Sequence, residues 1–140
     1  MIYDKEDGCN PAVVAQHVDN FEKRLQGAKL KDLPGLARHD LAYLALISCA
    51  YAVLEFSGKG ISADKNHHQE VLKFCADAIG YSPDDTRRLL AKPRDRNNST
   101  YGDKSAVTAM MSWEAVTMAE KLGQAAEQWM TASLKSQGGT

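Results

Sequence analysis

Polar side chains suited to phosphate binding are concentrated in residues 94–103, directly after Pro93. Within eight positions this segment holds two guanidinium groups, two amides, two hydroxyls and a phenol: Arg94, Arg96, Asn97, Asn98, Ser99, Thr100 and Tyr101. A polar group buried without a partner costs roughly 1–3 kcal/mol. We therefore expect the segment to face solvent, a ligand or a partner subunit.

Four of these side chains share one face if the segment forms helical turns: Arg94, Asn97, Asn98 and Tyr101. An arginine fork binds phosphate in bidentate fashion, and amides and a phenol add directional hydrogen bonds. Arg87, Arg88 and Lys92 add positive charge just before the segment. The alternative is a plain loop between helices, because Asn, Ser, Gly and Asp are common in loops and Asp103 suits a helix cap.

The string from Arg94 to Tyr101 resembles the signature region of HEPN domains. Those domains are small helical bundles of prokaryotic toxin, defence and nucleotidyltransferase-associated proteins. Their usual motif is an arginine, a polar residue such as asparagine and, after a short gap, a histidine. Arg96 and Asn97 match the start of that motif, and Tyr101 falls at the histidine position, as in some family members. By helix order the resemblance covers roughly residues 10–130.

The resemblance implies an all-α, HEPN-like homodimer in which the motif-bearing ends of two subunits form a composite groove. In the catalytic HEPN ribonucleases, arginine and histidine act without metal on the 2′-hydroxyl and the scissile phosphate. By position Arg96 and Tyr101 are the candidate catalytic residues, and Arg94, Asn97 and Asn98 are candidate binding residues. A phenol has an ordinary pKa of about 10 and is a poor base at pH 7, so we expect weak or no nuclease activity.

The expected function is RNA or nucleotide recognition in a defence or toxin–antitoxin system, with a nucleotidyltransferase or an antitoxin as a possible protein partner. Two alternatives stay open: an active, metal-independent endoribonuclease toxin, and a protein-interaction module without a nucleic-acid role. We expect no cofactor and no metal. The acids Asp84, Asp85 and Asp103 stand at helix starts, where they suit the helix dipole.

Two adjacent histidines are further candidate binding residues. Gly60 followed by His67 and His68, before a third helix, also resembles the pattern of several short HEPN proteins. Neighbouring side chains on a helix diverge by about 100°, so the pair does not readily bind one metal ion. They are expected to cap or pack the helix start, or to supply the missing imidazole to the arginine motif. The lone His17 and His39 are expected to be structural.

The rest of the chain predicts an antiparallel bundle of four to five helices in a single domain, residues 1–140. The first helix is expected from Asn10 to Gly27, and the second from a start between Asp32 and Arg38 to an end near Phe56. The third is expected to be capped by Asp64 and to end at Gly80, and a short fourth to open at Ser82. The last is expected from Asp103 to about Lys135. Residues 1–9 and 136–140 are expected to be flexible ends. No alternating strand pattern is present.

Two helices predict the homodimer independently of the resemblance. The stretch Leu41–Leu54 is apolar on all sides, which is typical of the middle of a bundle or of a subunit interface. In the last helix Met110 and Trp113 lie off the main apolar stripe and indicate a second buried surface.

Composition restricts the class of protein. The net charge of −1 offers no overall field for nucleic acid or membrane, so any nucleic-acid contact must come from a local patch. The three cysteines, Cys9, Cys49 and Cys75, are odd in number and far apart, which argues against disulfides and a zinc ribbon. The apolar run 41–56 is too short for a membrane span, and residues 1–10 do not resemble a signal peptide, so we expect a cytoplasmic protein.

Overall fold

The computed structural model describes residues 1–62, 67–91 and 109–138, with side chains through residue 136. These residues form five helices and one two-stranded sheet, in the following order: β1 (Ile2–Asp4), α1 (Pro11–Ala28), α2 (Gly35–Phe56), β2 (Lys59–Ile61), α3 (His68–Ile79), α4 (residues 83–91) and α5 (Ala109–Gly138). The predicted all-α helical bundle is confirmed.

The starts of α1 and α4 follow directly from their capping residues. Asn10 Oδ1 accepts a hydrogen bond from the backbone N–H of Ala12 at 3.0 Å, and Pro11 occupies the first turn, where its missing N–H costs nothing. Ser82 Oγ accepts from the N–H of Asp85 at 3.1 Å and caps α4 in the same way. Both caps were predicted from the sequence.

The apolar helix α2 lies in the middle of the bundle. Fourteen of its 22 residues are buried, and it packs against α1, α3 and α5. By length and composition it is also the one described helix able to cross a membrane, but 72% of that stretch is buried inside the protein, as in a core helix. Its apolar surface is therefore covered within a single chain, and the argument for a dimer rests on α5 alone.

Side-chain contacts fix the directions of the long helices. α1 runs antiparallel to α2, as three contacts show: His17 with Tyr51, Arg24 with Ser48, and Ala28 with Arg38. In contrast, α2 and α5 run in the same direction, again through three contacts: Arg38 with Trp113, Cys49 with Leu122, and Phe56 with Trp129. The first turns of α2 and α5 consequently lie at one end of the bundle.

The first nine residues are held in place, in contrast to the flexible end that the sequence predicts. β1 pairs antiparallel with β2, with Ile2 opposite Ile61. Lys5 Nζ donates to both carboxylate oxygens of Glu55, at 2.6 and 2.7 Å, and the N–H of Asn10 donates to Glu55 Oε2 at 3.1 Å. A strand of three residues leaves no readable period in a sequence, and this ion pair joins positions 50 residues apart.

The start of α3 also differs from the prediction. Asp64 was the predicted cap and lies outside the described residues, but the N-cap of α3 is His67, three positions later. The apolar spacing that identifies this helix begins only at Val71, so it does not determine the first turn. At its other end Gly80, in the left-handed region at φ 83°, ends the helix where the sequence predicts.

Gly123 allows the close approach of α1 and α5. A Cβ at this position would overlap the ring of Phe21, whose Cε1 would be only 2.8 Å away. Gly123 sits inside α5, where glycine costs about 1 kcal/mol relative to alanine. Gly123 therefore lets α1 and α5 pack closely, although it lowers the helix propensity of α5.

Gly123→Ala is expected to destabilise the fold even though alanine favours helix. The overlap with Phe21 should cost about 1–3 kcal/mol, which exceeds or matches the gain of about 1 kcal/mol in propensity. Urea unfolding followed by circular dichroism measures the balance. In a Phe21→Leu background the overlap is relieved, so the same substitution should become stabilising; a destabilisation of equal size in both backgrounds contradicts this account.

Candidate functional site

The predicted arginine motif lies outside the described residues. This holds for all five of its site residues: Arg94, Arg96, Asn97, Asn98 and Tyr101. The chain leaves the described part after Ala91, the last residue of α4, and returns at Ala109, the first residue of α5. The surroundings of these two points are therefore the part of the candidate site that the structure describes.

His68 packs against the central helix at the start of α3. Its Nδ1 lies 2.7 Å from the hydroxyl of Tyr43, and the two rings meet edge to face with centroids 5.6 Å apart. Tyr43 is only 3% exposed. The pair joins α2 to α3 and holds the imidazole in a fixed orientation.

His67 occupies the N-cap of α3 but does not cap it with its side chain. Its Nδ1 instead lies 3.1 Å from Oε1 of Glu70, one turn further on, and its side chain is 16% exposed. The two adjacent histidines thus point to different neighbours, as expected for consecutive helical positions. Among the described residues no group of three or more His, Cys, Asp or Glu side chains is placed to hold a metal ion.

The first turns of α2 and α5 lie at one end of the bundle, which we call the helix-start end. Tyr43 in α2 contacts His68 at the start of α3, and Arg38 in α2 lies over the ring of Trp113 near the start of α5, 4.2 Å from its centroid. Arg38 and Tyr43 are about 7.5 Å apart along the helix axis and about 140° apart around it, so α3 begins further along α2 than α5 does and on a different side of it. The starts of α2 and α5 each carry about half a positive elementary charge, which favours an anion at this end.

Arg38 prevents the end of α1 from cancelling that charge. Its Nε donates to the carbonyl of Ala28 at 2.9 Å and its Nη2 to the carbonyl of Leu30 at 2.5 Å. These carbonyls belong to the negative C-terminal end of α1. Because Arg38 is only 4% exposed and satisfies carbonyls, its role is to position α1 against α2 and α5.

His39, next to Arg38, is a further imidazole in this region. Its side chain is fully buried in α2, one turn before Tyr43. The sequence interpretation treated His39 as structural and did not single out Tyr43. The available signal was their spacing of four positions inside an otherwise apolar helix, which places both on one face.

A groove of about 580 Å³ separates α4 from α5. Its walls carry Asp85 and Arg88 from α4, and Glu114 and Lys121 from α5, with Tyr81 at its edge. Burial raises the pKa of the Tyr81 hydroxyl to about 12, an effect to which the thiols of the core and Asp85 also contribute. Tyr81 is therefore a neutral hydrogen-bonding group and is unsuited to act as a base at neutral pH.

The arginines of α4 are exposed and weakly engaged. Arg87 pairs with Asp84, and Arg88 lies 3.8 Å from Asp85, each pair within the same helix. Pairs with such exposed side chains contribute little to stability. Both guanidinium groups can therefore turn towards a polyanion at small cost.

Cys9 and Cys75 are not activated nucleophiles, and Cys49 is a buried core residue. Cys9 is exposed, and partial burial together with the charge of Glu55 raises the pKa of its thiol. Cys75 is fully buried, and its contact with Cys49 and its burial raise the pKa of its thiol well above the ordinary value. A reactive cysteine needs the opposite shift, towards the thiolate.

The structure thus places two of the predicted site residues, His67 and His68, at the start of α3, where they contact Glu70 and Tyr43. Comparison with known proteins adds no assignment: no protein-family model matches this chain, and no curated protein matches it.

Proposed function

We propose that this chain is a HEPN-like, cytoplasmic homodimer that recognises RNA or nucleotides in a defence or toxin–antitoxin system, with weak or no nuclease activity. The observation that carries the proposal is the helix-start end. Two positive helix ends, those of α2 and α5, lie there, and the segment that contains Arg94 and Arg96 joins the second of them. This supports a phosphate site to which the guanidinium groups of the motif and these helix ends both contribute.

The net charge of −1 restricts which residues of this chain can bind a polyanion. With no general positive field, binding to a polyanion must depend on a few local groups. Arg94 and Arg96 are the main candidates, with the exposed Arg87 of α4 as a secondary contact. A nucleotidyltransferase or antitoxin remains the proposed protein partner.

Arg94→Ala/Arg96→Ala is expected to weaken binding of single-stranded RNA and to flatten its salt dependence. Each lost phosphate contact lowers the slope of log K against log salt by about 0.7 for single strands, so the double variant should lose about 1.4. Fluorescence anisotropy at several salt concentrations measures both quantities.

Lys23→Ala/Lys73→Ala is the matched control, because it removes the same charge from two exposed lysines elsewhere on the bundle. It should leave both the affinity and the slope close to those of the parent. If the two double variants lose affinity equally, the proposed site is wrong and binding is only a matter of net charge.

A second candidate function is metal-independent RNA cleavage. It is favoured by one observation: Tyr43 orients the ring of His68, whose Nδ1 lies 2.7 Å from the tyrosine hydroxyl. A histidine whose ring is oriented by a neighbouring hydroxyl is suited to general acid–base catalysis. On this reading one of the two imidazoles takes the place that Tyr101 leaves open in the motif.

A further inference from the structure

One face of α5 stays exposed although it carries two large apolar side chains. Met110 is 72% exposed and Trp113 is 43% exposed. Glu114, Thr117 and Lys121 continue the same exposed face at the spacing of an α-helix. A contiguous surface of this kind on an otherwise well-packed bundle indicates a contact with another protein surface.

This face forms one wall of the groove beside α4. Met118 and Ala125 also line the groove and add apolar surface to it. Each wall of the groove holds one acid and one base: Asp85 and Arg88 on α4, and Glu114 and Lys121 on α5. A groove with balanced charges does not suit RNA, so its occupant is a surface with its own balanced pattern.

The two charges on α5 have a self-complementary arrangement. Glu114 and Lys121 are two helical turns apart, about 10.5 Å along the axis. Within the described part of the chain neither of them makes an ion pair. The midpoint between them falls between Thr117 and Met118, so a copy of α5 turned around that point presents a lysine to the glutamate and a glutamate to the lysine.

We propose that α5 of a second copy of this chain occupies the groove, antiparallel to the first and related to it by a two-fold axis between Thr117 and Met118. Glu114 of each copy then pairs with Lys121 of the other. By the same symmetry the large, exposed Met110 lies opposite the small Ala125, which leaves room for it. This inference rests on the proposed homodimer and specifies its interface. It replaces the composite groove that the resemblance implies, because the starts of the two copies of α5 then lie about 25 Å apart along the helix axis.

The symmetry makes charge reversal a sharp test. Glu114→Lys and Lys121→Glu each bring like charges together twice in one dimer, and like charges across an interface disfavour the pairing strongly. Each single variant should raise the dissociation constant of the dimer by about tenfold or more. Glu114→Lys/Lys121→Glu should restore dimerisation, and mixing the two single variants should give a heterodimer in which every contact is again opposite in charge.

Light scattering and sedimentation velocity measure the mass at several concentrations, and circular dichroism confirms that each variant is folded. Glu127→Lys is the matched control, because Glu127 is exposed on a different face of α5 and its reversal should leave the dimer intact. If the parent is a dimer that neither single variant weakens, the interface lies elsewhere and this inference fails, while the proposed homodimer stands. If the parent is a monomer at micromolar concentration, both fail. RNA binding, measured separately, tests the remainder of the proposed function.

Discussion

Tyr101→His is expected to raise chelator-resistant cleavage of single-stranded RNA above that of the parent chain, which we expect to be feeble or inactive. A phenol with an ordinary pKa of about 10 does not exchange protons readily at pH 7, whereas an imidazole near 6.5 does. General acid–base catalysis contributes about 10²–10⁴-fold, which sets the upper limit of the gain. Cleavage of an end-labelled oligonucleotide in the presence of EDTA measures it.

Tyr101→Phe is the control for that experiment, because it removes the hydroxyl without supplying an imidazole and should give no gain. Robust chelator-resistant cleavage by the parent would refute the inactive reading. In that case His67→Ala and His68→Ala, tested separately, identify the imidazole that carries the proton. Tyr43→Phe then shows whether cleavage depends on the orientation of the His68 ring. It removes the hydroxyl 2.7 Å from His68 Nδ1 but keeps the buried ring of residue 43 and the imidazole itself.

The helices were predictable because local signals determine them. Asn10 and Ser82 cap helices where the sequence places them, since capping depends on residues within one turn. The central position of α2 follows from its lack of a polar face. These features need no knowledge of distant parts of the chain.

The features that the sequence did not predict are long-range. β1 pairs with β2 across more than 50 residues of sequence. Lys5 and Glu55, which form the ion pair, are 50 residues apart. The parallel course of α2 and α5 depends on how the whole chain packs, and so does the contact of His68 with Tyr43. The residue types of the candidate site could be identified from the sequence. The arrangement of the positive starts of α2 and α5 at one end of the bundle could not.

Glu55→Gln is expected to lower the free energy of unfolding by about 1–3 kcal/mol at pH 7. The change replaces the carboxylate that accepts two hydrogen bonds from Lys5 by a neutral amide, in a side chain that is only 10% exposed. Lys5 is 28% exposed and regains some water, which keeps the loss below that of a fully buried pair. Urea unfolding measures it, and Asp19→Asn, in an exposed pair with Lys23, should change nothing measurable.

The same variant should show a defined pH dependence. Burial raises the pKa of the Glu55 carboxyl, but the hydrogen bonds from Lys5 and Asn10 and the charges of Lys5 and His17 outweigh burial and leave the pKa below its ordinary value of 4.5. The unfolded chain therefore binds the proton more readily than the folded chain, and the stabilisation is complete above the unfolded pKa and lost as the pH falls through the folded pKa. The difference in stability between parent and Glu55→Gln should be constant from pH 8 to about 5.5 and shrink below about 4.5. A difference that stays the same down to pH 3, or that grows as the pH falls, contradicts the assigned ion pair.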